Sequence, residues 1–266
     1  MRETLPILYR DETLVAVHKP AGLLVHRTVL DRHETRFAVQ IVRDQIGQHV
    51  HPVHRLDRGT SGVLLFALDR EIGRVLSAQF ESQVVDKAYL AIVRGYPDAA
   101  GVIDHALTRE FDAYEYRAAQ ATSEAQAAVT HYQRLATVEL PYRVDRYPSS
   151  RYALLALQPQ TGRRHQLRRH LKHLTHPIIG DATYGKGRHN RLFQELFASQ
   201  RLLLACLRMR LTHPVSGEPL TLDAPLADDF AAVIDALGWA EAWRSYAALE
   251  SLPLPPPDST SVNQTG

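Results

Sequence analysis

The sequence predicts a mixed α/β fold in which strands and helices alternate along the chain. Short apolar runs typical of buried strands alternate with segments whose apolar residues recur at the spacing of amphipathic helices. The chain has 266 residues, of which 45% are hydrophobic and 23% charged. These values suit a globular protein with one large mixed domain or two small ones.

The N-terminal part predicts two strands and one helix. A strand that starts at residue 7 is followed by a turn and a second strand at 14–18. Segment 19–22 ends this strand, because its proline gives no donor to a strand ladder and its glycine permits a turn. Residues 35–46 carry apolar side chains at helical spacing, and Gly47 is a natural C-terminal cap.

The central part predicts a buried strand followed by a capped helix. The continuous apolar run 63–68 lies between Gly62 and Asp69, which favours a buried strand. Asp69 can cap the next helix, and a further strand is predicted at 87–93. The apolar stripe of the helix consists of Ile72, Val75, Leu76 and Phe80.

The second half predicts further strands and a closing helix. The period-2 and apolar runs in this half predict strands at 128–135, 151–157, 202–211 and 220–222, the last two forming a hairpin. Segment 109–127 has no clear period and is interpreted as an insertion, a loop or a weak helix. The inward face of the closing helix, 226–246, consists of Phe230, Val233, Ile234 and Leu237.

Two segments lack the pattern of a helix or strand. The glycine-rich segment 176–187 has no strand-to-helix nucleotide fingerprint, so a structural loop is favoured over a phosphate cradle. The proline-rich segment 251–266 lacks core material and is expected to be disordered. The sequence therefore predicts that folded structure ends near residue 250.

Composition limits the classes of protein to which this chain can belong. The net charge is only +2, and Cys206 is the single cysteine, which suits a reducing compartment. The sequence has no apolar run of membrane-spanning length, and its N-terminus does not have the form of a signal peptide. We expect a cytoplasmic, monomeric protein without membrane association.

The stretch 54–62 has the composition of a site rather than of a packed core. Asp57 stands between Arg55 and Arg58, with glycines and hydroxyl residues just behind it. One interpretation is an ionised nucleophile held by cations, which favour the charged form of a carboxylate. The alternative is a solvated turn with a surface ion pair. A loop that enters a rigid strand is where catalytic side chains tend to lie.

Segment 161–174 is the most basic part of the chain. It holds five Lys or Arg, three His and no acid. Leu167, Leu171 and Leu174 follow helical spacing, so the cations must occupy the other helix faces. A solvated basic helix usually interleaves acids. Because none is present, the helix needs an anion from elsewhere, and phosphate is the natural candidate.

Several chemistries are disfavoured by the residue types and spacings. The histidines of 49–54 have no cysteine partner and no His-Glu-x-x-His pattern, so we expect no metal. Ser61 lacks a nucleophile-elbow context, and Asp57 has no second acid in a comparable setting, as a glycosidase requires. What remains is a carboxylate that attacks an electrophilic carbon, with Tyr89 available to stack on a base or transfer a proton.

The stretch 54–62, with Asp57 at its centre, resembles the signature of the RluA-type pseudouridine synthases. The resemblance extends over roughly residues 7–225, because further segments match family motifs in the family's order. One departure is Ala205, where relatives often have histidine, which leaves the local packing or hydrogen bonding in doubt. The matching segments are 87–89, 160–168, 176–181 and 213–218.

The resemblance implies a bent, mainly antiparallel mixed sheet flanked by helices, with a central active-site cleft. It implies one catalytic domain over 1–250, no RNA-binding S4 domain and no cofactor. Asp57 would be the nucleophile, Tyr89 would stack on the flipped uracil, and Arg168 would pair with Asp57. Arg55 would enter the RNA stack and Leu167 would pack against the base. The expected RNA-binding residues are Arg55, Arg58, Lys87, Arg163, Arg164, His165, Leu167, Arg169 and Lys172.

Segments 43–49, 128–132 and 167–171 are most similar to family members that modify uridine 65 of tRNA. This likeness implies a tRNA substrate. Three alternatives remain open from the sequence: the same chemistry on ribosomal RNA, a non-catalytic RNA-binding module, and a hydrolase that cuts a base–sugar bond.

Overall fold

A large mixed sheet, mainly antiparallel, organises the molecule. The computed structural model describes residues 3–26, 34–108 and 124–248. The predicted C-terminal tail and most of the predicted insertion 109–127 lie outside the described residues. The strands are β1 (Ile7–Arg10), β2 (Leu14–Lys19), β3 (His51–Pro52), β4 (Ser61–Ala67), β5 (Asp86–Arg94), β6 (Ala100–Asp104), β7 (Leu107–Thr108), β8 (Ala125–Gln126), β9 (Val129–Leu140), β10 (Ser150–Pro159), β11 (Leu204–Thr212) and β12 (Pro219–Asp223).

The strand order brings the two halves of the chain together at β4 and β11. Among the described residues the order is β1-β2-β4-β11-β5-β10-β9-β6, with β12 added to β11 and β3 added to β4. β4 and β11 run parallel and pair at Ser61 and Gly62. A Cβ on Gly62 would lie 1.9 Å from the carbonyl oxygen of Cys206, so only glycine permits this close approach.

Helices cover the sheet and bury its apolar faces. The helices Gly187–Phe197 and Asp228–Ala236 supply Phe193 and Phe230 to one core cluster, and the helix Gln166–His173 supplies Leu167 and Leu171 to another. All seven residues of β4 are buried, as expected of a strand covered on both faces. The helices are α1 (Ala38–Ile46), α2 (Arg70–Glu81), α3 (Gln166–His173), α4 (Gly187–Phe197), α5 (Asp228–Ala236) and α6 (Ala240–Ala247).

Most elements with a strong sequence period are confirmed. The predicted strands at 14–18, 63–68 and 87–93 correspond to β2, β4 and β5. Asp69 caps α2 by accepting a hydrogen bond from the backbone of Ile72 at 2.9 Å. Val75 was predicted on the buried stripe of α2 but is 44% exposed. The side chain of Val75 therefore faces water more than the helical spacing alone suggests.

Other elements differ from the sequence prediction. The closing helix 226–246 is wrong as one helix: α5 and α6 are separated at Gly238, whose φ of +72° interrupts the helical conformation. The predicted helix 35–46 begins only at Ala38, because Phe37 is extended. The basic helix begins at Gln166, because residue 165 has a φ of 54°. β6 and α4 were not predicted.

The helices of the described residues are short. None of them is both long and apolar enough to cross a membrane.

Candidate active site

Asp57 lies in the loop between β3 and β4, and His54 holds this loop to the sheet. β3 leaves the edge of β4 after Pro52, which pairs with Phe66. Beyond the β4 residues that pair with β3, the backbone N–H of Leu65 donates to Nε2 of His54 at 3.0 Å. The imidazole therefore takes the place of a strand residue and satisfies a buried donor.

His54 fills this role as a neutral ring. Burial, and then the positive charge of Lys87, lowers the pKa of His54 to about 3. Since Nε2 accepts the hydrogen bond from Leu65, the ring proton resides on Nδ1. The ring also stacks on Phe80 with 4.9 Å between centroids. His54 is thus a fixed support for the Asp57 loop and not a titrating group at neutral pH.

Lys19 also holds the loop that carries Asp57. Its side chain is fully buried at the end of β2. Nζ donates to the carbonyl oxygens of Pro20 at 2.9 Å, Leu23 at 2.7 Å and Arg58 at 3.2 Å. Burial lowers the pKa of Lys19 to about 7, although the negative charge of Asp57 opposes this effect. The sequence indicated only a strand break here, so this contact was missed.

Arg168, in the first turns of α3, joins Asp57 to a second carboxylate. Its Nε and Nη2 donate to the two oxygens of Asp181 at 2.7 and 2.9 Å. Its Nη1 donates to Oδ2 of Asp57 at 3.2 Å. The structure thus brings together the Arg168 and Asp57 that the resemblance paired, and adds Asp181, which sequence reasoning did not select.

Neighbouring charges and hydrogen bonds set the charge states of Arg168 and Asp181. Burial alone would lower the pKa of Arg168, but the hydrogen bonds and charges of Asp181 and Asp57 raise it above its ordinary value. Burial would raise the pKa of Asp181, but Arg168 and the backbone N–H groups of Tyr184 and Thr183 lower it. Both groups are therefore charged throughout the working pH range.

The ring of Tyr184 packs against the cations of α3. Its ring lies under the guanidinium of Arg168 at 4.9 Å and near Nζ of Lys172 at 5.6 Å. Its hydroxyl lies 2.8 Å from Nδ1 of His165, and Nε2 of His165 lies 3.8 Å from Asp57. The negative face of the ring attracts the cations and helps to hold them on this side of α3.

A cavity of about 500 Å³ opens beside Asp57. We call it the uracil cavity, after the base that the family resemblance would place there. Its volume suits a nucleoside. Tyr89 and Leu167 lie on its walls together with Lys87. Burial, followed by the influence of Cys206, raises the pKa of Tyr89 well above its ordinary value. The phenol therefore keeps its proton at neutral pH.

Six of the nine expected RNA-binding side chains line the uracil cavity, and the other three do not. Arg55, Lys87, Arg163, Arg164, His165 and Leu167 line the uracil cavity. Arg169 lies elsewhere and donates to the backbone and hydroxyl of Thr108 at 2.9 and 3.2 Å. Arg58 is bound to Glu34 at 2.5 Å, and Lys172 is exposed.

The acid-free basic helix does not depend on phosphate alone. Arg168 pairs with two carboxylates outside the helix: Asp181, 13 residues further along the chain, and Asp57, 111 residues before it. Arg169 uses a backbone carbonyl instead. Within residues 3–26, 34–108 and 124–248, no group of three or more His, Cys, Asp or Glu side chains is arranged to hold a metal ion.

Comparison with known proteins agrees with this geometry. The sequence pattern of the RNA pseudouridylate synthase family matches residues 13–173, and the chain belongs to this family. It is 51% identical over 237 residues to tRNA pseudouridine synthase C of Vibrio cholerae, covering 89% of this chain and 97% of that protein. It is 52% identical to the protein of the same name from Pasteurella multocida, covering 89% and 97%.

A solved structure supports the same family. The human RNA Pseudouridylate Synthase Domain Containing 1 superimposes with a TM-score of 0.67 and 26% identity, covering 95% of this chain and 98% of that one. The mixed, mainly antiparallel sheet expected from the sequence is therefore confirmed.

His54→Phe tests the support of the catalytic loop. Phenylalanine keeps the stacking on Phe80 but leaves the N–H of Leu65 without an acceptor. We expect the free energy of unfolding to fall by ~1–3 kcal/mol and kcat to fall with it. Urea unfolding and initial rates of pseudouridine formation measure both. His54→Gln is the control, because its amide oxygen can accept the same hydrogen bond. Equal loss of kcat in both variants would contradict this role.

The lowered pKa of Lys19 predicts an alkaline decline in activity. As the pH rises through about 7, the neutral amine keeps two N–H donors for three carbonyls. The longest bond, to Arg58, is the one lost, and the Asp57 loop loosens. We expect kcat to fall across this range in a pH–rate profile. Lys19→Met should be slow at every pH and lack this decline. A wild-type rate that is flat between about pH 6 and 9 would refute the prediction.

Proposed function

We propose that this enzyme isomerises uridine to pseudouridine in tRNA, acting at uridine 65 in the cytoplasm as a monomer. The observation that carries the proposal is the carboxylate of Asp57, held by Arg168 at the mouth of a cavity walled by Tyr89 and Leu167. The tRNA substrate is supported by relatives about half identical in sequence over most of the chain, which are named tRNA pseudouridine synthase C.

The target uridine must leave its stack to reach Asp57. Flipping a nucleotide costs a few kcal/mol of lost stacking and pairing. Arg55 is exposed beside the uracil cavity, and its flat guanidinium can stack in the vacated position. This contact offsets part of the cost. Tyr89 then stacks on the uracil, and Leu167 packs against it.

The reaction needs no cofactor, because it only exchanges bonds within the nucleotide. The bond from N1 of uracil to C1′ of ribose breaks, and a bond from C5 to C1′ forms. The proton on C5 leaves, and N1 ends with a proton. Asp57 acts as the nucleophile that attacks an electrophilic carbon of the nucleotide and is later released. Arg168 keeps the carboxylate in place during these steps.

Asp57→Asn tests the nucleophile. The amide has the shape of the carboxylate but cannot attack, so we expect tRNA binding to persist and product to disappear. Release of tritium from 5-tritiated uridine in tRNA measures the reaction, and gel shift measures binding. Asp44→Asn, at a surface carboxylate that pairs with Arg43, is the matched control. Tritium release by Asp57→Asn at the wild-type rate would rule out Asp57 as nucleophile.

A map of pseudouridine in cellular RNA tests the substrate as part of the same proposal. RNA from cells with and without the gene is compared position by position. The proposal requires the modification at position 65 of tRNA to disappear with the gene. If the lost position lies in ribosomal RNA, the substrate is wrong although the chemistry stands. Free uracil as product would instead indicate a hydrolase.

Lys172→Ala tests whether the exposed face of α3 contacts phosphate. Removing one phosphate contact should weaken tRNA binding and reduce the slope of log K against log salt by about one. Arg151→Ala is the control, since Arg151 lies at the end of β10 away from the site and pairs with Glu139. Binding measured at several salt concentrations gives both slopes. An unchanged slope in Lys172→Ala would remove this residue from the RNA interface.

A further inference from the structure

A second cavity of about 830 Å³ adjoins the uracil cavity at Asp57, and we call it the flanking cavity. It does not include Tyr89, Lys87 or the other residues that form the far wall of the uracil cavity. The reacting carboxylate therefore lies at the boundary of two recesses. The residues common to both are Arg55, Asp57, Arg164, His165 and Arg168.

The walls of the flanking cavity are partly apolar and come from separate segments. Leu24 follows β2, Ala182 lies in the loop after α3, and Leu202 precedes β11. A flat, weakly polar group can pack against such walls. The volume lies within the range of about 300–1,000 Å³ that is typical of small-ligand sites.

The described lining of the flanking cavity has a surplus of positive charge. It includes five arginines and three aspartates. All three aspartates already bind arginine: Asp57 and Asp181 bind Arg168, and Asp229 binds Arg201 at 2.6 Å. The five arginines still outnumber the three aspartates, although Arg58 also pairs with Glu34. An occupant with negative charge, such as a phosphate-bearing group, therefore suits the lining.

Arg201 makes one wall of the flanking cavity rigid. Only 7% of its side chain is exposed. Besides Asp229, it donates to the hydroxyl of Ser61 at 2.6 Å, and its guanidinium lies 5.3 Å from the ring centre of Phe230. A Cβ on Gly180 would lie 1.8 Å from the carbonyl oxygen of Arg201. The wall is thus built in advance of any ligand.

We propose that the flanking cavity binds the nucleotide next to the target uridine in the same RNA strand. This inference rests on the proposed function, because it assumes that the uridine enters the uracil cavity. Consecutive nucleotides are joined by one phosphate, so the strand carries its next nucleotide to the boundary at Asp57. Proteins that read unstacked RNA hold splayed bases against side chains and arginine planes. The apolar walls receive the base, and Arg164, which lines both cavities, faces the linking phosphate.

The test compares the wild-type enzyme with a variant whose flanking cavity is filled by tryptophan, each on intact tRNA and on tRNA that lacks one base. tRNA is assembled by ligation with an abasic residue on the 5′ or the 3′ side of the uridine. For the wild-type enzyme we expect KM to rise about tenfold with one of the two RNAs, the size expected from one lost stacking contact. Ala182→Trp should show the same rise with intact tRNA and no further rise with the abasic RNA. Gln194→Trp, at an exposed position of α4 outside the lining, is the control and should behave as wild type.

Two results would overturn the proposal. One is an unchanged wild-type KM with both abasic RNAs. The other is an Ala182→Trp enzyme in which the abasic effect adds in full to that of the substitution. Gln200→Trp fills the same cavity from another segment and replaces Ala182→Trp if that variant does not fold. Failure of the proposed function is distinct, because the wild type would then form no pseudouridine in intact tRNA.

Discussion

The site depends on one guanidinium shared between two carboxylates. Asp181 is fully buried and binds two nitrogens of Arg168, so the remaining nitrogen is aimed at Asp57. The longer single bond to Asp57 positions the carboxylate that we propose as the nucleophile, and it engages only one of the two carboxylate oxygens. Removing Asp181 would leave a buried cation with one partner, and breaking such a pair typically costs about 3–5 kcal/mol. Because Asp57 lies 111 residues from Arg168 in the chain, the site exists only when the loop between β3 and β4 is brought against α3.

Two further buried polar groups, His54 and Lys19, hold the Asp57 loop. Both bind backbone atoms: His54 accepts from Leu65, and Lys19 donates to the carbonyl of Arg58. Buried polar groups are tolerated only when their hydrogen bonds are complete, so each contact specifies one loop conformation. The supports act on opposite sides of Asp57, so hydrogen bonds hold this short irregular segment on both sides of the carboxylate that we propose as the nucleophile.

The sequence predicted elements whose signal is local and missed contacts that are long-range. β4 is a continuous apolar run and α2 has a cap, and both were predicted. By contrast, the first turn of α4 is polar and contains a glycine, so the helix and its buried residues Leu192 and Phe193 were not predicted. Asp57, Tyr89 and Arg168 could be selected because they lie in motifs. Asp181 also lies in a matching motif, as a carboxylate directly after a glycine, but its role depends on a partner 13 residues away in the chain.

The same internal bonding limits how the enzyme can recognise RNA. The net charge is only +2, and Arg168, Arg169 and Arg201 are bound to the protein's own carboxylates or carbonyls. Phosphate contacts supply affinity but little sequence information. Since these three arginines are held by the protein itself, we infer that discrimination between RNAs depends on the shape of the flipped strand and on what the cavities at Asp57 accept. A preformed recess selects a strand that can open at the target, which links recognition to the step that exposes the uridine.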